Sequence, residues 1–143
     1  MYNMHIIKIF AVALLVSGSI ISCNNNEDNK RPESALDTGR EFIRASLDGK
    51  FNNAMPLLLQ DSQNLQLFDT YKMYYNRLAE DKKLNYQKAS YTINKYEDIN
   101  DSVAIINYSN SYMKEPMEIK LVKDNKLWHV DFKYTYSGNP PTD

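Results

Sequence analysis

The feature that most restricts what this chain can fold into is a change of hydrophobic period near Lys88. Ahead of it, Leu65, Phe68, Tyr71, Tyr75 and Leu78 recur at steps of three, three, four and three, the stripe of a helix with one buried face. Behind it, Ala89, Tyr91 and Ile93 alternate with Ser90, Thr92 and Asn94, the period of a strand. A chain that switches once in this way builds a helical layer first and an antiparallel sheet second.

The remaining elements fit that order. Glu33 to Asp48 carries Leu36, Gly39, Phe42, Ile43, Ser46 and Leu47 at helical spacing, with Pro32 just before it and Gly49 just after. A short helix is predicted over Asn53 to Leu59, then a longer one from an Asp61 or Ser62 cap to about Asp81. Strands follow over residues 88–97 and Ser102 to Tyr112, separated by a turn at Asp98 to Asp101. Ala104, Ile106 and Tyr108 share one face of the second strand. Pro116 interrupts, and Met117, Ile119 and Leu121 mark a third strand. Asp124-Asn125 is read as a two-residue hairpin turn, because Asn tolerates positive φ. The last strand places Trp128, Val130, Phe132, Tyr134 and Tyr136 on one face, with His129, Asp131, Lys133 and Thr135 on the other. The fold class is α+β: about three N-terminal helices packed on one face of a curved four-stranded antiparallel sheet.

The first 22 residues stand outside this scheme. Ile9 to Ile21 is a run of thirteen residues without a charge, behind a short segment bearing Lys8. A bilayer needs about 20 apolar residues. A secretory signal peptide needs roughly 7–15 in its middle, so residues 1–22 are predicted to be a leader. Cys23, the single cysteine, stands where the apolar run ends. One cysteine makes no internal disulfide, and with two histidines it is a poor metal set; no metal and no cofactor are expected. Residues 24–34 contain no apolar side chain except Pro32, so residues 23–32 read as a flexible polar tether. Ten such residues would span about 17 Å. The domain is predicted over 33–136, and residues 137–143 as a disordered tail.

Ile20-Ile21-Ser22-Cys23 resembles the bacterial lipobox, with an aliphatic residue, a tolerant position, a small residue and then the cysteine. That resemblance implies a diacylglycerol on the Cys23 thiol, cleavage before it and acylation of the new amine. A single acyl chain gives marginal membrane residence, at about 0.8 kcal/mol per buried methylene, whereas two or more hold a protein stably. It also implies a place in the cell envelope, anchored to the outer membrane. Asn26-Glu27-Asp28 is similar to acidic surface-export signals behind a lipidated cysteine, and reads equally well as a solvated linker.

The element order, with Ala35-Leu36 through Phe42, LDGKFNNAMPLL and the terminal LVKDNKLWHVDF, resembles the nuclear-transport-factor-two-like (cystatin-like, α+β cone) superfamily. Within it, small secreted lipoprotein domains of uncharacterised role are the nearest likeness. The resemblance implies a cone with an open end between helices and sheet, and in some members dimers formed through the open sheet face. The fold by itself assigns no activity.

Composition narrows the functions. A formal net charge of −1 gives no basic footprint for nucleic acid. Tyrosine is abundant, 11 against one tryptophan and five phenylalanines, and inward-facing tyrosines would line an apolar site with a few hydroxyls. The candidate pocket is Phe68, Tyr71, Tyr75, Tyr108, Trp128, Phe132 and Tyr134. Tyr91, Tyr96 and Tyr112 would instead suit an exposed surface for a protein or glycan, and core filling is the plain alternative. An isomerase- or dehydratase-like enzyme would need Asp69 or Asp131 as a base beside a tyrosine, or His129 with Asp131. With the Trp128 face against the helices, His129 and Asp131 would point to solvent or to a partner. The reading that results is a lipid-anchored envelope domain that binds a small ligand or an envelope partner without catalysis.

Overall fold

In the computed structural model, which describes residues 30–138, helix α1 (Ala35–Leu47) starts at a Ser34 cap. Ser34 Oγ accepts from the Asp37 amide at 3.0 Å and donates to the Asp37 carboxylate at 2.7 Å, supplying a partner for an otherwise open amide. Its end is a Schellman turn. Lys50 N donates to Ala45 O at 2.9 Å and Gly49 N to Ser46 O at 3.2 Å, with Gly49 at φ +69°. A single turn, α2 (Phe51–Ala54), and a 3-10 turn over Met55–Leu57 follow. Helix α3 (Ser62–Arg77) is capped by Asp61, whose side chain accepts from the Asn64 amide at 2.9 Å. It stops earlier than its apolar stripe predicts. Leu78 and Ala79 are extended, Leu78 packs on the core, and a separate helix α4 (Glu80–Lys88) begins.

Four strands make one antiparallel sheet in the order β1-β2-β3-β4: Tyr91–Asn100, Val103–Asn110, Pro116–Asp124 and Leu127–Val130. The α+β class and the four antiparallel strands agree with the sequence reading, while the helices number five among the described residues and the last follows the sheet. A register shift between Ile93 and Lys95 lets Tyr96, not Lys95, follow Tyr91 and Ile93 onto the core side. β1 also runs on to Asn100, so the first hairpin turns at Asp101-Ser102. Pro116 opens β3, where a missing amide is tolerated. The β3–β4 turn is Asn125-Lys126, both at positive φ (48° and 67°), with Asp124 paired to Leu127. It lies one residue later than the sequence suggested.

The largest departure is after Val130. The predicted strand continues as helix α5 (Phe132–Gly138). Asn64, fully buried on α3, accepts from the Lys133 amide at 2.8 Å and so caps the new helix from a distant element. Asp61 also meets Lys133 Nζ at 3.2 Å. α5 lies along β3 beyond the end of β4, where it covers an edge that would otherwise be open. It reaches Gly138, two residues past the predicted domain limit. The leader 1–22, Cys23 with its lipobox, tether residues 23–29 and tail residues 139–143 lie outside the described residues.

The core joins α1 to the sheet through Phe42, Ile43, Ala104, Ile106, Ile119, Leu121 and Val130. Gly39 permits the close approach: a Cβ there would stand 2.3 Å from Ile106 Cδ1. Phe68 has no exposed surface and packs its ring against Phe42 (6.0 Å), Phe51 (5.8 Å), Tyr71 (6.1 Å) and Phe132 (5.3 Å). Burying one such ring contributes roughly 1.5–3 kcal/mol. Phe132 keeps its inward position although it sits on a helix and not on a strand.

Candidate functional site

Of the seven residues the sequence singles out, the fold brings five to one region. Phe68, Tyr71, Tyr75 and Phe132 belong to a run of ring contacts through Phe51, and Tyr108 on β2 lies close enough to bear electrostatically on Tyr71. The other two lie apart. Trp128 is on β4 beneath Lys123, whose ammonium is 5.5 Å from the ring centroid. Tyr134 is exposed on α5; its hydroxyl meets Glu118 Oε2 at 3.3 Å, and Lys120 stands 5.6 Å from its ring. Tyr134 therefore faces the outside of the sheet and not the tyrosine region.

The region extends to residues that the sequence reading did not include. Helix α4, which lacks an apolar stripe, supplies Tyr86, and the turn after β2 supplies Tyr112 and Met113. Tyr86 and Tyr112 meet edge to face at 4.8 Å, and Tyr86 meets Tyr75 at 5.9 Å. The exposed tyrosine face considered above is not formed: Tyr91 and Tyr96 pack against the core, and Tyr112 belongs to this cluster. Asn110 continues the alternation of Ala104, Ile106 and Tyr108, is 2% exposed, and accepts on Oδ1 from the amides of Tyr112 (3.1 Å) and Met113 (2.8 Å). The pattern Ala104-Ile106-Tyr108, continued by two, was the signal that could have found it.

The hydroxyls here are poorly satisfied by protein. Tyr75 donates to Leu47 O at 3.2 Å, which is an ordinary bond. Tyr86 and Tyr108 reach only thioether sulfurs, Met113 at 3.3 Å and Met117 at 3.8 Å, which are weak acceptors. Tyr71 has no hydrogen-bond partner among the described residues. Burial, joined by the neighbouring phenols, pushes the Tyr71 and Tyr108 hydroxyls well above the ordinary tyrosine range. They remain protonated donors at any physiological pH.

The acid–base candidates are not assembled. Asp69 is exposed on α3. His129 does not face solvent as expected; it is buried where Leu58 passes β4, with Nδ1 3.0 Å from Leu58 O and 2.9 Å from an Arg31 Nη. The parallel bridge of Leu58 to Val130 brings that segment across the strand edge. Asp131 is half-buried and pairs with Lys120 at 3.5 Å. The two side chains point to different partners. No group of three or more potential metal ligands occurs among the described residues, and no described helix is long and apolar enough to cross a membrane.

Comparison with models of known families, with curated proteins and with solved structures gave no match to this chain. The α+β layer and its tyrosine region therefore define the class by geometry alone.

Proposed function

We propose that the chain is a lipid-anchored envelope domain that binds a small molecule at its tyrosine region without catalysing a reaction. One observation carries the binding half: several half-buried phenols gather from α3, α4 and β2, and the hydroxyls of Tyr71, Tyr86 and Tyr108 lack strong partners among the described residues. Half-buried hydroxyls at the margin of an aromatic cluster suit a binding site, which keeps a few polar groups for its ligand among apolar walls. The anchoring half rests on the Ile20-Ile21-Ser22-Cys23 junction behind thirteen uncharged residues. The cone-like lipoprotein likeness belongs to the same proposal and supports an outer-membrane location. Catalysis is left out because His129 and Asp131 engage Arg31, Leu58 and Lys120 and not each other.

Fractionation of cells carrying Cys23→Ala tests the anchor. The variant is expected in the soluble fraction and the unmodified chain with membranes. Retention of the variant on membranes would remove the lipid from the proposal.

A further inference from the structure

Asn110 is the polar side chain in this region with the least freedom and the least satisfied donor. Its Oδ1 is engaged by two backbone amides, which fixes the amide orientation and leaves Nδ2 as the group turned away from the turn. That Nδ2 is buried and has no acceptor among the described residues. A buried donor left unpaired is costly, so its retention points to an acceptor supplied from elsewhere. On the same inner face of β2, two residues earlier, Tyr108 offers a hydroxyl whose protein contact is a thioether at 3.8 Å. Tyr71 on α3, whose phenol bears on that of Tyr108, offers a hydroxyl with no partner among the described residues.

We propose that Asn110, Tyr71 and Tyr108 form a donor set for an uncharged small molecule carrying a carbonyl or ether oxygen on an apolar frame. The proposal deepens the binding reading given above and rests on it. Asn110 Nδ2 can only donate, and the Tyr71 and Tyr108 hydroxyls donate as well as accept, so a ligand that presents acceptors satisfies all three at once. The apolar frame follows from the walls: Phe51, Phe68 and Phe132 adjoin Tyr71 at 5.8 to 6.1 Å between ring centroids. The absence of charge follows from the neighbours. The ionisable groups that bear on Tyr71 are Tyr108, Tyr86, Tyr75 and Tyr74, and the one that bears on Tyr108 is Tyr86. Lys83 and Arg44 bear on Tyr75 and not on these two hydroxyls, so a carboxylate or phosphate placed between Tyr71 and Tyr108 would lose its water without a cation beside it among the described residues.

Three probes of one shape separate the possibilities: para-fluoroacetophenone (a neutral carbonyl), para-fluorobenzoate (an anion) and fluorobenzene (no acceptor). Binding is read by fluorine NMR on the full chain in lipid nanodiscs, with empty nanodiscs subtracted. The ketone is expected to bind most tightly and the benzoate most weakly. Asn110→Asp keeps the one oxygen that accepts from both turn amides and removes the Nδ2 donor; Tyr71→Phe keeps the ring and removes the hydroxyl. Each is expected to weaken the ketone about threefold to tenfold, the effect of one hydrogen bond, and to leave fluorobenzene unchanged. Equal binding of all three probes, or tightest binding of the benzoate, would overturn the donor set while leaving a small-molecule site in place. Failure of all three to bind the unmodified chain would overturn the binding reading itself.

Discussion

Replacing Gly39 by alanine should destabilise the domain, although alanine is the better helix former. The gain in helix propensity is about 1 kcal/mol. Against it, the added Cβ would stand 2.3 Å from Ile106 Cδ1 and 3.2 Å from Ile119 Cδ1, where carbon atoms rest comfortably at about 3.5–4.0 Å. Ile106 and Ile119 have no exposed surface, so neither methyl has open space to move into. Overpacking of this kind costs about 1–3 kcal/mol, and the net loss should be about 1 kcal/mol. Ile106→Val removes the clashing carbon and by itself should cost about 0.5–1.5 kcal/mol. In the double variant the clash with Ile106 disappears and only the milder 3.2 Å approach to Ile119 Cδ1 is left, while the propensity gain remains. The two changes should then couple by about 1 kcal/mol or more in favour of the pair, beyond the additivity of independent sites, which holds to about 0.5 kcal/mol. Urea unfolding followed by circular dichroism measures all four chains. A stabilising Gly39→Ala, or strict additivity, would refute the close packing of α1 on β2.

Other outcomes follow from the same structure. Asn64→Leu should leave the Lys133 amide without its acceptor, cost about 1–3 kcal/mol, and raise hydrogen exchange across α5 before other helices; unchanged exchange at Lys133 would deny the cap. Because burial raises the Tyr71 and Tyr108 pKa values in the folded state, their stabilising contribution is complete below the unfolded tyrosine value of about 10. It is lost as pH rises beyond that value toward the folded ones. Alkaline unfolding followed by phenolate absorbance should therefore show these two tyrosines ionising with the unfolding transition, and their titration in the native state at the ordinary value would contradict their burial.

What the sequence made legible was what local patterning controls. α1 announces itself by the apolar spacing of Phe42, Ile43 and Leu47 and by a Gly49 that ends it. The sheet announces itself by alternation in β2 and β3. α4 stayed hidden because none of its residues is buried, so it has no stripe to read. The last strand was overextended for a different reason. Trp128, Val130, Phe132 and Tyr134 alternate perfectly, but the acceptor that starts α5 is Asn64, 69 residues away in sequence, and local period carries no trace of it. The same gap affected the site. Tyr71, Tyr75 and Tyr108 were visible as inward positions, whereas Tyr86 depended on the hidden helix and Asn110 on following an inward alternation past the last apolar residue.

The claim that this is a lipid-anchored domain is tested most directly by intact-mass spectrometry of the protein purified from its native membrane. The expected species begins at Cys23 and carries a diacylglycerol on sulfur and an acyl chain on the amine. A chain that retains residues 1–22, or one that bears an unmodified Cys23, would contradict it.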